Sequence, residues 1–195
     1  MDLNKAPSRD FGRDSLERKG LFTTVTNKNE KTKNFGMSSF DVQLERILLR
    51  VREGGRAKED DLNLASDCLR EYSRSLQARA CEILLRQGPD SVLQAKAVET
   101  LVTLCRQYEE RGYCAALLLC LSFVPRETLL MHDELRRFTI QCAASPRWPI
   151  RVNAIQPLKI YSRLGDQEAE EHLRRALKDE NEYVRKNARI ELSME

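Results

Sequence analysis

One apolar pattern returns along this chain at a nearly constant interval, and that recurrence restricts the fold more than any other feature. Residues 150–158 read IRVNAIQPL and residues 184–192 read VRKNARIEL. They share aliphatic-Arg-x-Asn-Ala-x-x-x-Leu at an offset of 34 residues. The aliphatic residue, the Ala and the Leu stand at i, i+4 and i+8, so on a helix they make one stripe. Leu76, Ala80 and Leu84 supply the same stripe, as do Tyr113, Leu117 and Leu121. The starts at 76, 113, 150 and 184 are 37, 37 and 34 residues apart, the length of one helical hairpin with its turns. Leu93, Ala97 and Leu101 match half a unit out of phase, on the first helix of a hairpin. One hairpin cannot bury its apolar face alone, whereas stacked hairpins bury it against each other. Ala at the middle of the stripe lets two helices approach closely, and the larger residues at its ends fill the gap between layers.

Start and stop signals divide the chain into nine helices. Ser38 or Ser39 caps a helix carrying Val42, Leu44, Ile47, Leu48 and Val51 inward, which Gly54-Gly55 ends. A second runs from about Lys58 to Tyr72, with Leu62, Leu64, Ala65, Cys68 and Leu69 inward. Ser73 or Ser75 caps the third, which stops at Gly88-Pro89; Ser91 opens a fourth through Tyr108, and Gly112 parts it from a fifth, Tyr113 to Val124. The sixth spans Glu127 to Ala144 as one helix. The seventh starts at Pro149, contains Pro157, which should kink it, and ends before Gly165. Asp166 to Lys178 and Asn181 to the end complete the set. Short connections make consecutive helices antiparallel neighbours. Leu, Ala, Glu and Arg dominate, while aromatics are only 6% and there are only eight Gly and six Pro, all favouring an all-α class over a sheet.

The final unit, DENEYVRKNARIEL from Asp179 to Leu192, resembles the second helix of a HEAT repeat with its preceding turn. The family's turn has an Asp, a Val-Arg pair five and six residues on, then Ala and Leu. Asp179, Val184, Arg185, Ala188 and Leu192 match those positions. The preceding unit, SPRWPIRVNAIQPL, matches with Ile150, Arg151, Ala154 and Leu158, but has Ser145 in place of the Asp. The two earlier units lack the Val-Arg pair, so the likeness is specific over the last 50 residues or so and architectural before them. It implies a short right-handed α-solenoid of about four hairpins preceded by one extra helix. The second helices would line the concave side, and an Asp–Arg ladder would join neighbouring repeats.

Residues 1–37 are rich in Lys, Asn, Thr, Ser and Gly without a sustained period, and read as a disordered N-terminal tail before a repeat domain at 38–195. Leu21, Phe22 and Val25 are the tail's only small apolar cluster. Net charge is +3 over residues 1–38, −3 over 39–135 and +3 over 136–195. The repeat region is therefore neutral, unlike a dedicated nucleic-acid binder. No run of about 18 uncharged apolar residues occurs, so no membrane span is expected. The acidic start (MDLNKAPSRDFGRD) does not read as a secretory signal, so the cytoplasm or an equivalent reducing compartment is the expected location. Cys68, Cys81, Cys105, Cys114, Cys120 and Cys142 form no C-x-x-C pair, and each lies in an apolar run as a reduced core residue.

No nucleotide loop, nucleophile elbow or zinc-protease motif is present, and no cofactor or metal site is expected. His132 and His172 are the only histidines and read as surface residues; Glu170-Glu171 reads as a solvated pair. Trp148 sits at a turn between Arg147 and Pro149-Ile150-Arg151, a composition common at binding hot spots. Arg147, Trp148, Arg151, Arg185, Lys186 and Arg189 are the candidate partner-binding residues, from the last two second helices. Together these readings point to a non-enzymatic protein–protein interaction module, a scaffold or adaptor, with nucleic acid the less favoured partner. The alternative from another class is a HEAT-like enzyme or enzyme subunit, of the DNA-base glycosylase or bilin lyase kind, because fold does not fix function.

Overall fold

A computed structural model describes residues 39–71, 73–87, 91–107 and 113–193, all within one compact unit, Met37–Glu195. The expected N-terminal tail and the stops at Gly88-Pro89 and Gly112 lie outside the described residues, as do Tyr72 and Tyr108. Among the described residues there are ten α-helices and no strand. They are α1 (Ser39–Arg52), α2 (Glu59–Cys68), α3 (Arg74–Arg86), α4 (Ser91–Arg106), α5 (Cys114–Leu121), α6 (Arg126–Met131), α7 (Asp133–Ala143), α8 (Trp148–Arg163), α9 (Gln167–Ala176) and α10 (Glu182–Leu192). Among the described residues, no helix is long and apolar enough to cross a membrane.

Local chemistry sets the helix ends. The Ser73 hydroxyl accepts from the Leu76 amide, Asp166 from Ala169 and Asn181 from Tyr183, each satisfying a donor that the first helical turn leaves open. Asp61 reaches back to the Lys58 amide at 2.7 Å. Gly54 and Gly165 follow α1 and α8 with φ of +86° and +90°, a conformation that costs glycine nothing and strains other residues. Pro149 stands in the first turn of α8, where its missing N–H is no loss. Pro157 lies within the same helix, buried, and α8 continues past it to Arg163.

The expected sixth helix is two helices, α6 and α7, parted at His132 (φ −117°, ψ 86°). The reason is phase. Leu135, Phe138, Thr139 and Cys142 form the buried face of α7. Six residues earlier, Leu129 would stand about 120° off that face in an unbroken helix. The break brings Leu129 into the core and leaves Leu130 and Met131 exposed. Val42 also departs from expectation: it is exposed, because two residues turn it about 200° from Leu44 on the buried face of α1.

Packing follows chain order in two series. The stripe-bearing helices touch in turn, α3 on α5, α5 on α8 and α8 on α10, with α1 against α3 at the start. The intervening helices do the same, α2 on α4, α4 on α7 and α7 on α9. Each intervening helix also packs on the stripe-bearing helix that follows it: α2 on α3, α4 on α5, α7 on α8 and α9 on α10. Ala80, Ala154 and Ala188, the small residues at the stripe centres, are fully buried, as is Leu117 at the equivalent place in α5. The core runs without interruption from Leu44 to Ala188. Helix α5 carries no charged residue and is enclosed by α3, α4, α7 and α8.

All six cysteine side chains are buried in that core. Burial pushes the Cys81 thiol up to about 12 and the Cys105 and Cys120 thiols well above their ordinary range. Since the thiolate is the reactive form, the folded chain should react negligibly with an aromatic disulfide reagent at pH 8, and all six thiols should titrate in denaturant. Rapid titration of several thiols in the folded chain would contradict this packing.

Candidate interaction surface

The last two repeats build their turns from equivalent atoms. Arg151 donates from one guanidinium nitrogen to the carbonyls of Ser145 and Pro146, both at 2.9 Å. Arg185, 34 residues later, donates in the same way to Asp179 and Glu180 at 2.7 and 2.8 Å. The Ser145 hydroxyl accepts from the Arg147 amide, and the Asp179 carboxylate accepts from the Asn181 amide. Asn153 and Asn187 each donate to the carbonyl four residues back. A serine can therefore replace the aspartate in shaping the turn, but it brings no charge.

The aspartate has a second role. Arg151 grips Asp179 with two hydrogen bonds of 2.8 Å and adds a 3.1 Å contact to Glu180. Both main partners are nearly buried, with side chains 11% and 12% exposed. Two parallel charge-assisted bonds at this depth position α8 against the α9–α10 turn. A comparable pair joins α7 to the start of α9, where Arg136 holds Asp166 and also reaches Glu168 at 2.6 Å.

These pairs make the fold acid-sensitive in a definite direction. The hydrogen bond from Arg151 holds the Asp179 carboxyl below its usual range. Burial opposes the charged form of Asp166, but the Arg136 and Ala169 hydrogen bonds outweigh it, and its pKa is also lowered. A carboxyl lowered on folding contributes stability that is fully present above its unfolded value of about 4 and disappears as pH falls through the folded value. Unfolding free energy should therefore fall from pH 5 towards pH 2. Asp179→Asn should cost about 2 kcal/mol at pH 7 and flatten that fall. Denaturant titrations across this range would show it; an unchanged slope in the variant would count against the pair.

The six candidate partner-binding residues divide by role. Arg151 is engaged within the fold, and Arg185 is half-buried over its own turn. Trp148 opens α8 and stacks on Tyr183 at the start of α10, with ring centroids 5.4 Å apart and planes 18° from parallel. Trp148 also packs on the core, while Tyr183 is 60% exposed. Arg147, Lys186 and Arg189 are exposed beside this pair in sequence. The result is an amphipathic aromatic anchor bridging two adjacent stripe-bearing helices, with cations close in sequence. Tyr183 was not legible as a site residue, because a lone aromatic at a polar helix start breaks no apolar pattern.

No protein-family model matches the chain, and a comparison with curated proteins finds no match.

The remaining polar features among the described residues lie at separate places. His132 is half-buried at the α6–α7 break, and His172 is half-buried on the wall of a depression of 190 Å³ beside Arg151, Arg175 and Asp179. Glu170 and Glu171 pair with Arg174 and Arg175 along α9. Among the described residues, no group of His, Cys, Asp or Glu has the arrangement to hold a metal ion. The buried Glu82 carboxylate, which the sequence reading missed, is clamped by Arg52 and Arg86.

Proposed function

We propose that residues 38–195 form a short right-handed HEAT-like α-solenoid of about four hairpins with one extra N-terminal helix. In this reading the chain is a non-enzymatic interaction module, a scaffold or adaptor in the cytoplasm, that presents its second-helix face to another protein. The sequential packing of α3, α5, α8 and α10 through buried stripes supports the architecture. The observation that carries the function is the Trp148–Tyr183 stack, which ties two neighbouring second helices and leaves a large aromatic face in solvent. Exposed Tyr beside Arg and Lys is the composition of interface anchors, where a rigid ring supplies contact area at little entropic cost. The mechanism is display: a rigid stack holds these side chains in fixed register, so that binding needs no reorganisation of the scaffold.

A photoreactive phenylalanine placed at Lys186, on α10, should capture a protein partner in cells. The same group at Arg174, exposed on α9, should capture far less. Equal capture at the two positions, or no protein adduct at either, would contradict the proposal.

A further inference from the structure

The outer edge of α10 repeats the edge by which α8 holds its neighbour, with one substitution that changes what it can accept. Residues 151, 155 and 158 of α8 correspond, 34 positions on, to Arg185, Arg189 and Leu192. On α8, Arg151 takes the Asp179–Glu180 turn, while Ile155 and Leu158 are buried. On α10, Arg185 is anchored by the same two carbonyl bonds that anchor Arg151. Its remaining edge, the Nε and second terminal nitrogen, is the edge Arg151 uses for Asp179. Among the described residues, no carboxylate pairs with Arg185 or Arg189.

The replacement of buried Ile155 by exposed Arg189 decides the occupant. Another apolar helical layer stacked here would have to bury that second guanidinium, whereas an acidic segment would neutralise it. Arg185 and Arg189 are one turn apart on the same face, about 40° from each other around the helix. We infer that this edge is a carboxylate-accepting site for an Asp-Glu turn of a partner protein. Arg185 takes the aspartate bidentately and Arg189 takes the glutamate. The inference names a partner chemistry for the interaction module proposed above and rests on that reading for the partner's existence. Its test reads the site directly, so it can fail while partner capture at position 186 succeeds.

The probe is the capped peptide Lys-Asp-Glu-Asn-Glu-Tyr, the chain's own residues 178–183, added to the full-length ¹⁵N-labelled protein while the arginine Nε–H signals are followed by NMR. The expected result is a saturable shift confined to Arg185 and Arg189, absent with the Asn/Gln analogue of the peptide. Arg189→Ala should weaken binding about fivefold. Arg185→Lys should weaken it about tenfold, because an ammonium cannot make the two parallel bonds, with the helical circular dichroism unchanged. Three outcomes would overturn the inference: no saturable shift, an equal drift of all exposed arginines, or a stronger response to inorganic phosphate or duplex DNA than to the peptide.

Discussion

Arg52→Ala is expected to lower the stability of the helical unit by about 3 kcal/mol, far more than an arginine with a third of its side chain exposed would suggest. The cost arises at its partner. Glu82 lies in the middle of α3 with no exposed surface, and Arg52 reaches it from α1 with two hydrogen bonds of 2.9 and 2.7 Å. Arg86 adds a third at 2.9 Å and rests over the Phe123 ring, 4.1 Å from its centroid. Removing Arg52 leaves a buried carboxylate with one cation in place of two. A buried charge that loses its partner costs several times what an exposed pair contributes. If that is the mechanism, removing the charge as well should repair the damage. Arg52→Met combined with Glu82→Leu should recover more than half of the loss in a urea unfolding curve. A double variant as unstable as Arg52→Ala would show that the arginine contributes through packing alone.

Leu117→Ala should be at least as damaging, at about 3–5 kcal/mol. Leu117 occupies the stripe centre of α5, where α3, α8 and α10 carry Ala80, Ala154 and Ala188, and all four residues are fully buried. Helix α5 touches both α3 and α8, so a cavity there removes contacts with two helices at once. The reverse change in the next unit, Ala154→Leu, should also destabilise, by about 1–3 kcal/mol, because the close approach of α8 to its neighbours leaves no room for the added atoms. Thermal or urea unfolding of the two single variants checks both. A neutral Ala154→Leu would mean that the stripe centre is not a point of close contact.

The part of the fold that was legible in the sequence is the part governed by local period. The i, i+4, i+8 stripe depends only on helix geometry, and of its twelve residues all but Leu192 are buried; Leu192 packs half-buried on the core. The cap at Ser73, offered together with Ser75, and the helix starts at Asp166 and Asn181 were legible for the same reason, since a cap acts over three residues. What required the assembled fold was not legible. The break at His132 depends on a phase difference between Leu129 and Leu135, and the good helix formers Leu129, Leu130 and Met131 conceal it. The Arg52–Glu82 pair spans 30 residues and exists only because α1 lies on α3. Among the site candidates, the sequence placed Arg147, Trp148, Lys186 and Arg189 on the last two units. The expected Asp–Arg ladder named no pair, so Arg151 was offered to a partner although Asp179 holds it, and nothing in the pattern indicated that Trp148 meets Tyr183.

The proposed stack predicts that stability is handed from each layer to the next, so one end can be removed without losing the other. Among the described residues, α10 packs mainly on α8 and α9, and α9 mainly on α7, α8 and α10. Amide hydrogen exchange on a chain ending at Leu164, which lacks both helices, tests the idea most directly. Protection across α3, α4 and α5 should stay close to that of the full chain, with losses confined to α7 and α8. Collapse of protection throughout residues 74–121 would mean that the helices share one closed centre, and would contradict a layered stack.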